Sequence, residues 1–215
     1  MREISSVCRK IMICVVFVLL LNGCMSIPNS PNPRFYTLFV SDSGQADKKF
    51  DIAADTIVGI GPIRIPEYLD RPQMVTIEKD KTMKFAQFDR WAGPLDLNLG
   101  YAIRENLVLL LPQASFTIYP WNLSLPVKYQ VVMDIIQLDA ELQKNLTFVA
   151  QWSVIDANDG KMLLIKRSEF RLPIGPQSYF GIAKTLSFAC ASLSSEIAEA
   201  LVAVSSQAKT ETPVP

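Results

Sequence analysis

Residues 146–155 read Leu-Thr-Phe-Val-Ala-Gln-Trp-Ser-Val-Ile, and their apolar side chains recur largely at every second position. One face of an extended strand would therefore carry Phe148, Ala150, Trp152 and Val154. The tripeptide Asn158-Asp159-Gly160 follows, and these residue types tolerate the positive φ angles of tight turns. Residues 161–172 then give a second strand candidate. This stretch predicts an antiparallel hairpin.

Further elements are predicted on both sides of the hairpin. A helix is expected over residues 95–111, where apolar side chains recur at spacings of three and four between Pro94 and Pro112. A second helix, over residues 178–204, has the longest apolar stripe. Six more strands are predicted: 35–40, 56–65, 74–78, 83–88, 115–119 and 127–139. The two short ones, 74–78 and 83–88, are joined by a charged hairpin loop and would form a small meander.

This order of elements defines the expected fold class. It is α/β (α+β): a single domain in which two main helices pack on one face of a mixed, mostly antiparallel sheet. The chain of 215 residues is long enough for one well-cored domain.

The N-terminus has the pattern of a secreted lipoprotein. Arg2, Arg9 and Lys10 precede an apolar run over residues 11–21, which is too short to span the ~30 Å hydrocarbon core of a bilayer as a helix. The run ends in Leu-Asn-Gly-Cys24, which resembles the bacterial lipobox, in which the cysteine is acylated and becomes the first mature residue. The alternatives are a secreted protein without lipid and an N-terminal anchor helix. We predict a signal peptide over residues 1–23 and lipidation of Cys24.

Three further segments complete the expected organisation. Residues 24–34 hold the acylated cysteine and a proline-rich flexible tether, the folded domain covers residues 35–204, and residues 205–215 form a disordered tail.

Met25 stands directly after the cysteine, where bacterial sorting usually retains lipoproteins at the inner membrane if the residue is Asp. The expected location is therefore the outer membrane, with the chain lipid-anchored on its periplasmic face.

Composition excludes several classes of function. The chain has 21 basic and 21 acidic residues, so there is no electrostatic reason to expect nucleic acid as a partner. It has no histidine, which removes Ser-His-Asp and Cys-His nucleophile systems and the commonest transition-metal ligand. No phosphate-binding loop motif is present. We expect no catalytic activity, no cofactor and no metal.

Several segments resemble the PqiC (YmbA) family of ABC-type transport auxiliary lipoproteins. The residues that carry the resemblance are Phe35-Tyr36-Thr37-Leu38, the block from Gly59 to Val75, Phe88-Asp89-Arg90-Trp91-Ala92-Gly93-Pro94-Leu95, and Tyr119-Pro120-Trp121. The resemblance implies an outer-membrane lipoprotein that partners a periplasmic, PqiB-like MCE-domain protein in a lipid-transport system that maintains membrane integrity. The resemblance is also compatible with a homo-oligomer.

Candidate partner-binding residues lie mainly in the 64–71 segment, by which we mean residues 64 to 71. Rigid turns that combine arginine, tyrosine and carboxylates are typical of protein-docking surfaces. The alternative for this segment is an internal Arg–Asp clip, and for the tryptophans it is packing in the domain. The candidates are Arg64, Glu67, Tyr68, Asp70, Arg71, Arg90, Trp91 and Trp121.

Two other functions fit the same sequence. One is a lipid-binding carrier with its own cavity, which would need a sheet face that the helices do not fully cover. The other is an outer-membrane assembly or plug lipoprotein that binds a β-barrel instead of an MCE protein.

Overall fold

The computed structural model describes residue 12 and residues 31–40, 48–175 and 178–210. The chain divides into two units, residues 1–32 and 33–215, and the second contains the elements below. The predicted signal peptide except residue 12, Cys24 with its predicted lipidation, the predicted tether up to residue 30 and the predicted tail from residue 211 lie outside the described residues.

The larger sheet has five strands: β2 (Ile57–Arg64), β5 (Ser115–Ile118), β6 (Tyr129–Ala140), β7 (Asn145–Asp156) and β8 (Met162–Pro173). Their order is β5–β2–β6–β7–β8. The strand β2 runs parallel to both of its neighbours, whereas β6, β7 and β8 are antiparallel. The hairpin predicted from residues 146–172 is confirmed, and Gly160 adopts a φ of 74° at its turn, where a side chain would be strained.

A smaller sheet has three strands: β1 (Arg34–Tyr36), β3 (Gln73–Ile77) and β4 (Met83–Trp91). The order is β1–β4–β3, with β1 parallel and β3 antiparallel to β4. The hairpin predicted from residues 74–78 and 83–88 is confirmed as β3 and β4. Strand β2 is not part of this small sheet, because it pairs with β5 and β6 in the larger one. The central residues of β2 are apolar and buried, so β2 lies inside the sheet between two neighbouring strands. The strand β1 is also shorter than the predicted 35–40.

Two helices cover the larger sheet, as predicted. The first, α1 (Leu95–Leu110), begins after Pro94, whose carbonyl oxygen accepts a hydrogen bond from the Asn98 side chain at 2.9 Å. The second, α2 (Tyr179–Thr210), extends six residues past the predicted end at residue 204. Residues 205–210, predicted as part of a tail, are therefore helical: Ser205 is buried, and the Ser206 hydroxyl donates to the carbonyl of Val202.

The core lies between the helices and the larger sheet. The helix α1 packs on β2 and β5, α2 packs on β7 and β8, and the two helices contact each other. The largest fully buried side chains include Trp152, Tyr129 and Phe148. By length and composition α2 is the one described helix able to cross a membrane, but 67% of its most apolar window is buried inside the domain. It is the core helix of this fold.

Cys190 lies on the buried side of α2. Its thiol is free, and burial raises its pKa to about 12. The side chain stays protonated at neutral pH and packs as a small apolar group.

Candidate docking site

The 64–71 segment is fixed to strand β6 at its N-terminal end. The guanidinium of Arg64 forms two hydrogen bonds with the carboxylate of Asp134, and the one from Nη2 to Oδ2 measures 2.9 Å. This contact holds the pKa of Asp134 below its usual range. The Arg64 side chain is mostly exposed, so the pair contributes little to stability. Its effect is to position the start of the segment.

Tyr68 fixes the middle of the segment. Its ring is half-buried against the core, and its hydroxyl interacts with the Leu138 main chain and the Asp139 carboxylate on β6. Burial, with a smaller contribution from Asp139, raises the pKa of Tyr68. Leu69 beside it is buried. The tyrosine thus faces its own domain along much of its surface.

The two carboxylates of the segment are exposed. Glu67 begins a 3-10 turn over Glu67–Leu69, which the main-chain hydrogen bond from Asp70 to the Glu67 carbonyl closes at 3.1 Å. Among the described ion pairs, none includes Glu67 or Asp70. The alternative for this segment is an internal Arg–Asp clip, that is, an ion pair within the domain. Such a pair exists, but it joins Arg64 to Asp134 and does not include Asp70.

The outer face of the smaller sheet brings together residues from all three strands. Phe35 lies opposite Arg90, which in turn lies opposite Gln73, and residues directly opposite each other in a sheet project from the same face. Phe35 is 60% exposed. The sheet therefore displays an aromatic ring, an amide and a guanidinium in one row.

A second guanidinium, that of Arg71, lies against strand β4 at Phe85. Its guanidinium carbon lies 4.2 Å from the centroid of the Phe85 ring, the geometry of a cation–π contact, and Phe85 is 45% exposed. In the part of the chain that the structure describes, the Nε atoms of Arg71 and Arg90 are buried without a hydrogen-bond partner. We call Phe35, Arg71, Gln73, Phe85 and Arg90 the docking face.

The opposite face of the smaller sheet holds the N-terminal strand in place. Asp89 is buried and accepts hydrogen bonds from Arg34, at 3.0 Å, and from the Tyr36 hydroxyl, at 2.8 Å. Burial, followed by the hydrogen bond to Asp89, raises the pKa of Tyr36. Asp89 thus attaches β1, and with it the start of the domain, to β4.

Trp91 lies on the buried side of β4. It is 5% exposed and belongs to the core, and its main-chain N–H donates to the carbonyl of Pro72 at 2.8 Å. These contacts agree with the packing alternative for this residue, since little of the ring is left for a partner.

Trp121 is placed on the larger sheet, apart from the arginines of the smaller one. Its ring covers Gly59 on β2 so closely that a Cβ atom at residue 59 would lie 2.5 Å from Cη2 of the tryptophan. Tyr119 meets the same ring edge-on, with 5.6 Å between centroids. The glycine and the tryptophan are therefore two halves of one packing contact.

Replacement of Gly59 by alanine tests this contact. We expect the free energy of unfolding to fall by about 1–3 kcal/mol, because the added methyl group overlaps the indole ring. Chemical denaturation would measure the loss. In a Trp121→Ala background the same glycine substitution should cost much less, and equal costs in the two backgrounds would contradict the packing role of Trp121.

Sequence reasoning missed Phe35, Gln73, Phe85 and Asp89 as parts of this region. Phe35, Gln73 and Asp89 stand within the segments that carry the family resemblance, but nothing local shows which residues they contact. Among residues 31–40, 48–175 and 178–210, no group of three or more His, Cys, Asp or Glu side chains is arranged to hold a metal ion.

Comparison with solved structures establishes the class of the fold. A protein described as uncharacterized aligns with a TM-score of 0.64 at 17% identity, covering 80% of this chain and 99% of its own. Protein XCC0632 from Xanthomonas campestris, of family DUF330, aligns with a TM-score of 0.64 at 11% identity, covering 83% and 99%. These likenesses show a shared α+β fold.

The family follows from the sequence match. Residues 36–198 match the model of the ABC-type transport auxiliary lipoprotein component, and the chain belongs to that family. No curated protein matches the chain at a significant level. The PelC dodecamer from Paraburkholderia phytofirmans aligns with a TM-score of only 0.44 at 10% identity, covering 69% of this chain and 88% of its own, and so carries no argument about assembly.

Proposed function

We propose that this auxiliary lipoprotein is anchored in the outer membrane and docks through the docking face on the periplasmic conduit of an MCE-type lipid-transport system. Its contribution is binding and positioning, without catalysis. Membership of the transport-auxiliary family supports the role. The resemblance of residues 59–75 to PqiC proteins supports the MCE partner.

The docking face is the observation that carries this proposal. Among the described residues, the Nε atoms of Arg71 and Arg90 have no hydrogen-bond partner, and neither arginine belongs to an ion pair. Buried polar groups without partners cost about 1–3 kcal/mol each. The exposed ring of Phe85 lies under Arg71, and exposed Phe35 lies opposite Arg90. Arginine with aromatic rings is the composition of binding hot spots. A partner that supplies carboxylates and apolar surface would pair with the two guanidinium groups and cover the exposed rings.

Photocrosslinking from Phe85 tests the docking partner. A photoreactive phenylalanine at residue 85 of the full-length lipoprotein is irradiated in the native envelope, and captured proteins are identified by mass spectrometry. We expect an MCE-domain protein. The matched control is the same label at Tyr101, an aromatic residue of α1 with similar exposure, 49% against 45%, which should capture much less. Capture of a β-barrel from residue 85 would favour the assembly-lipoprotein alternative.

Charge reversal tests the role of the two arginines. We expect the double variant Arg71→Glu, Arg90→Glu to reduce the crosslink by about tenfold or more, because like charges then face the partner's carboxylates. The control Lys161→Glu changes an exposed lysine at the β7–β8 turn and should leave capture unchanged. An undiminished crosslink from the folded double variant would remove the arginines from the interface.

Met25 is the basis of the proposed outer-membrane location. Met25→Asp is expected to move the lipoprotein into the inner-membrane fraction, as the bacterial sorting pattern predicts. Density-gradient separation of the two membranes measures the shift, and Met25→Asn, an uncharged residue of the same size as Asp, is the control. An unchanged distribution of the Asp variant would contradict the sorting argument.

A further inference from the structure

A groove opens between the end of strand β8 and the first half of helix α2. Its volume is about 680 Å³, within the range of about 300–1,000 Å³ that is usual for small-molecule sites. The residues that shape it include Leu172, Pro173, Phe180, Lys184, Phe188 and Ser192. The docking face lies on other elements of the domain, so this groove is a separate feature.

The chemistry of the groove is apolar with one cation. Lys184 is the one charged side chain among its described lining residues, and its Nζ lies 5.8 Å from the centroid of the Phe188 ring. No described ion pair includes Lys184. The groove thus offers apolar walls and an uncompensated positive charge, which suits a ligand with an apolar body and an anionic end.

The groove also lies beside the N-terminal part of the domain. Phe39 stacks on Phe180 with 6.4 Å between ring centroids, and the Phe39 N–H donates to the hydroxyl of Ser187 at 3.2 Å. Phe39 is five residues after Arg34, so the point at which the chain enters β1 is at most about 17 Å away. For a protein of a lipoprotein family, the tethered end is the end that faces a membrane.

We propose that this groove holds one acyl chain of an anionic phospholipid, with Lys184 at the lipid phosphate. An acyl chain has no polar groups to satisfy, whereas an inserted peptide would bring main-chain amides into largely apolar walls. The cation at the rim and the nearness of the tethered end favour a lipid that comes from the membrane itself. This inference does not depend on the identity of the docking partner.

Photolabelling in vesicles tests the proposal. The full-length lipoprotein is reconstituted in phosphatidylcholine vesicles that contain a small fraction of phosphatidylglycerol with a diazirine in its acyl chain. After irradiation, labelled peptides are mapped by mass spectrometry. We expect label on the groove residues of β8 and α2, in addition to any on the tether. Label confined to the tether would overturn the proposal.

Three variants separate groove binding from incidental contact. Ser192→Trp fills the groove and should remove its label, and Lys184→Gln should reduce it by about tenfold for phosphatidylglycerol, since a charged hydrogen bond is lost. Lys184→Arg should restore it, and Lys161→Gln, outside the groove, should have no effect. Because Ser192→Trp could disturb folding, circular dichroism is recorded for each variant. Groove label that persists in folded Lys184→Gln and Ser192→Trp proteins, or crosslinks there to a second copy of the chain, would refute acyl binding.

Discussion

Trp91→Ala is expected to lower the free energy of unfolding by about 3–5 kcal/mol, because truncation of a fully packed tryptophan removes apolar contacts and leaves a cavity. Trp91 is 5% exposed within the core of the domain. Domains of this size have total stabilities of about 5–15 kcal/mol, so the loss would be a large fraction. Urea denaturation of the variant and the parent protein would measure it.

Matched substitutions separate packing from partner contact. Trp91→Phe keeps most of the apolar volume and should cost clearly less than the alanine variant. Phe85→Ala, in the docking face, should change stability little, since Phe85 is 45% exposed, but should weaken partner capture. The packing role of Trp91 would be contradicted by an alanine variant that keeps its stability and fails to bind the partner.

Cys24→Ala is expected to convert a membrane-bound protein into a soluble periplasmic one. Each buried CH₂ group of an acyl chain contributes about 0.8 kcal/mol to membrane binding, and two or more chains together give stable anchoring. Without the cysteine there is no site for the chains. Sedimentation of membranes after cell lysis should find the parent protein in the pellet and the variant in the supernatant.

Cys190→Ala is the control for this experiment. Cys190 is the other cysteine expected in the mature chain, and it is fully buried in the domain. Its replacement should leave the protein in the membrane pellet. Retention of the Cys24→Ala variant in that pellet would contradict lipid anchoring and favour an uncleaved N-terminal helix as the anchor.

Local patterns were sufficient to predict most elements of the fold. The β7–β8 hairpin follows from alternation and a turn rich in Asn, Asp and Gly, and α1 from its spacing between two prolines. The division into two sheets was not predictable, because β2 pairs with β5 and β6 across long stretches of chain. Such pairings depend on how buried faces meet and not on neighbouring residues.

The docking region was predictable in composition but not in geometry. The sequence indicated that Arg64 and Arg71 belong to a rigid segment, yet Arg64 pairs with Asp134, 70 positions away. The cation–π contact between Arg71 and Phe85 arises only in the folded domain, where the guanidinium lies over the ring. Likewise Asp89 and Arg34 are 55 positions apart. Nothing in their local patterns identifies such partners.

Burial of Cys190 lowers the reactivity of its thiol in an oxidising compartment. Burial raises the pKa of its thiol to about 12, so the thiol is protonated at pH 7 and the thiolate is scarce. Disulfide exchange and peroxide oxidation proceed through the thiolate. In the proposed periplasmic location, the folded domain therefore protects an unpaired cysteine from forming a mixed disulfide.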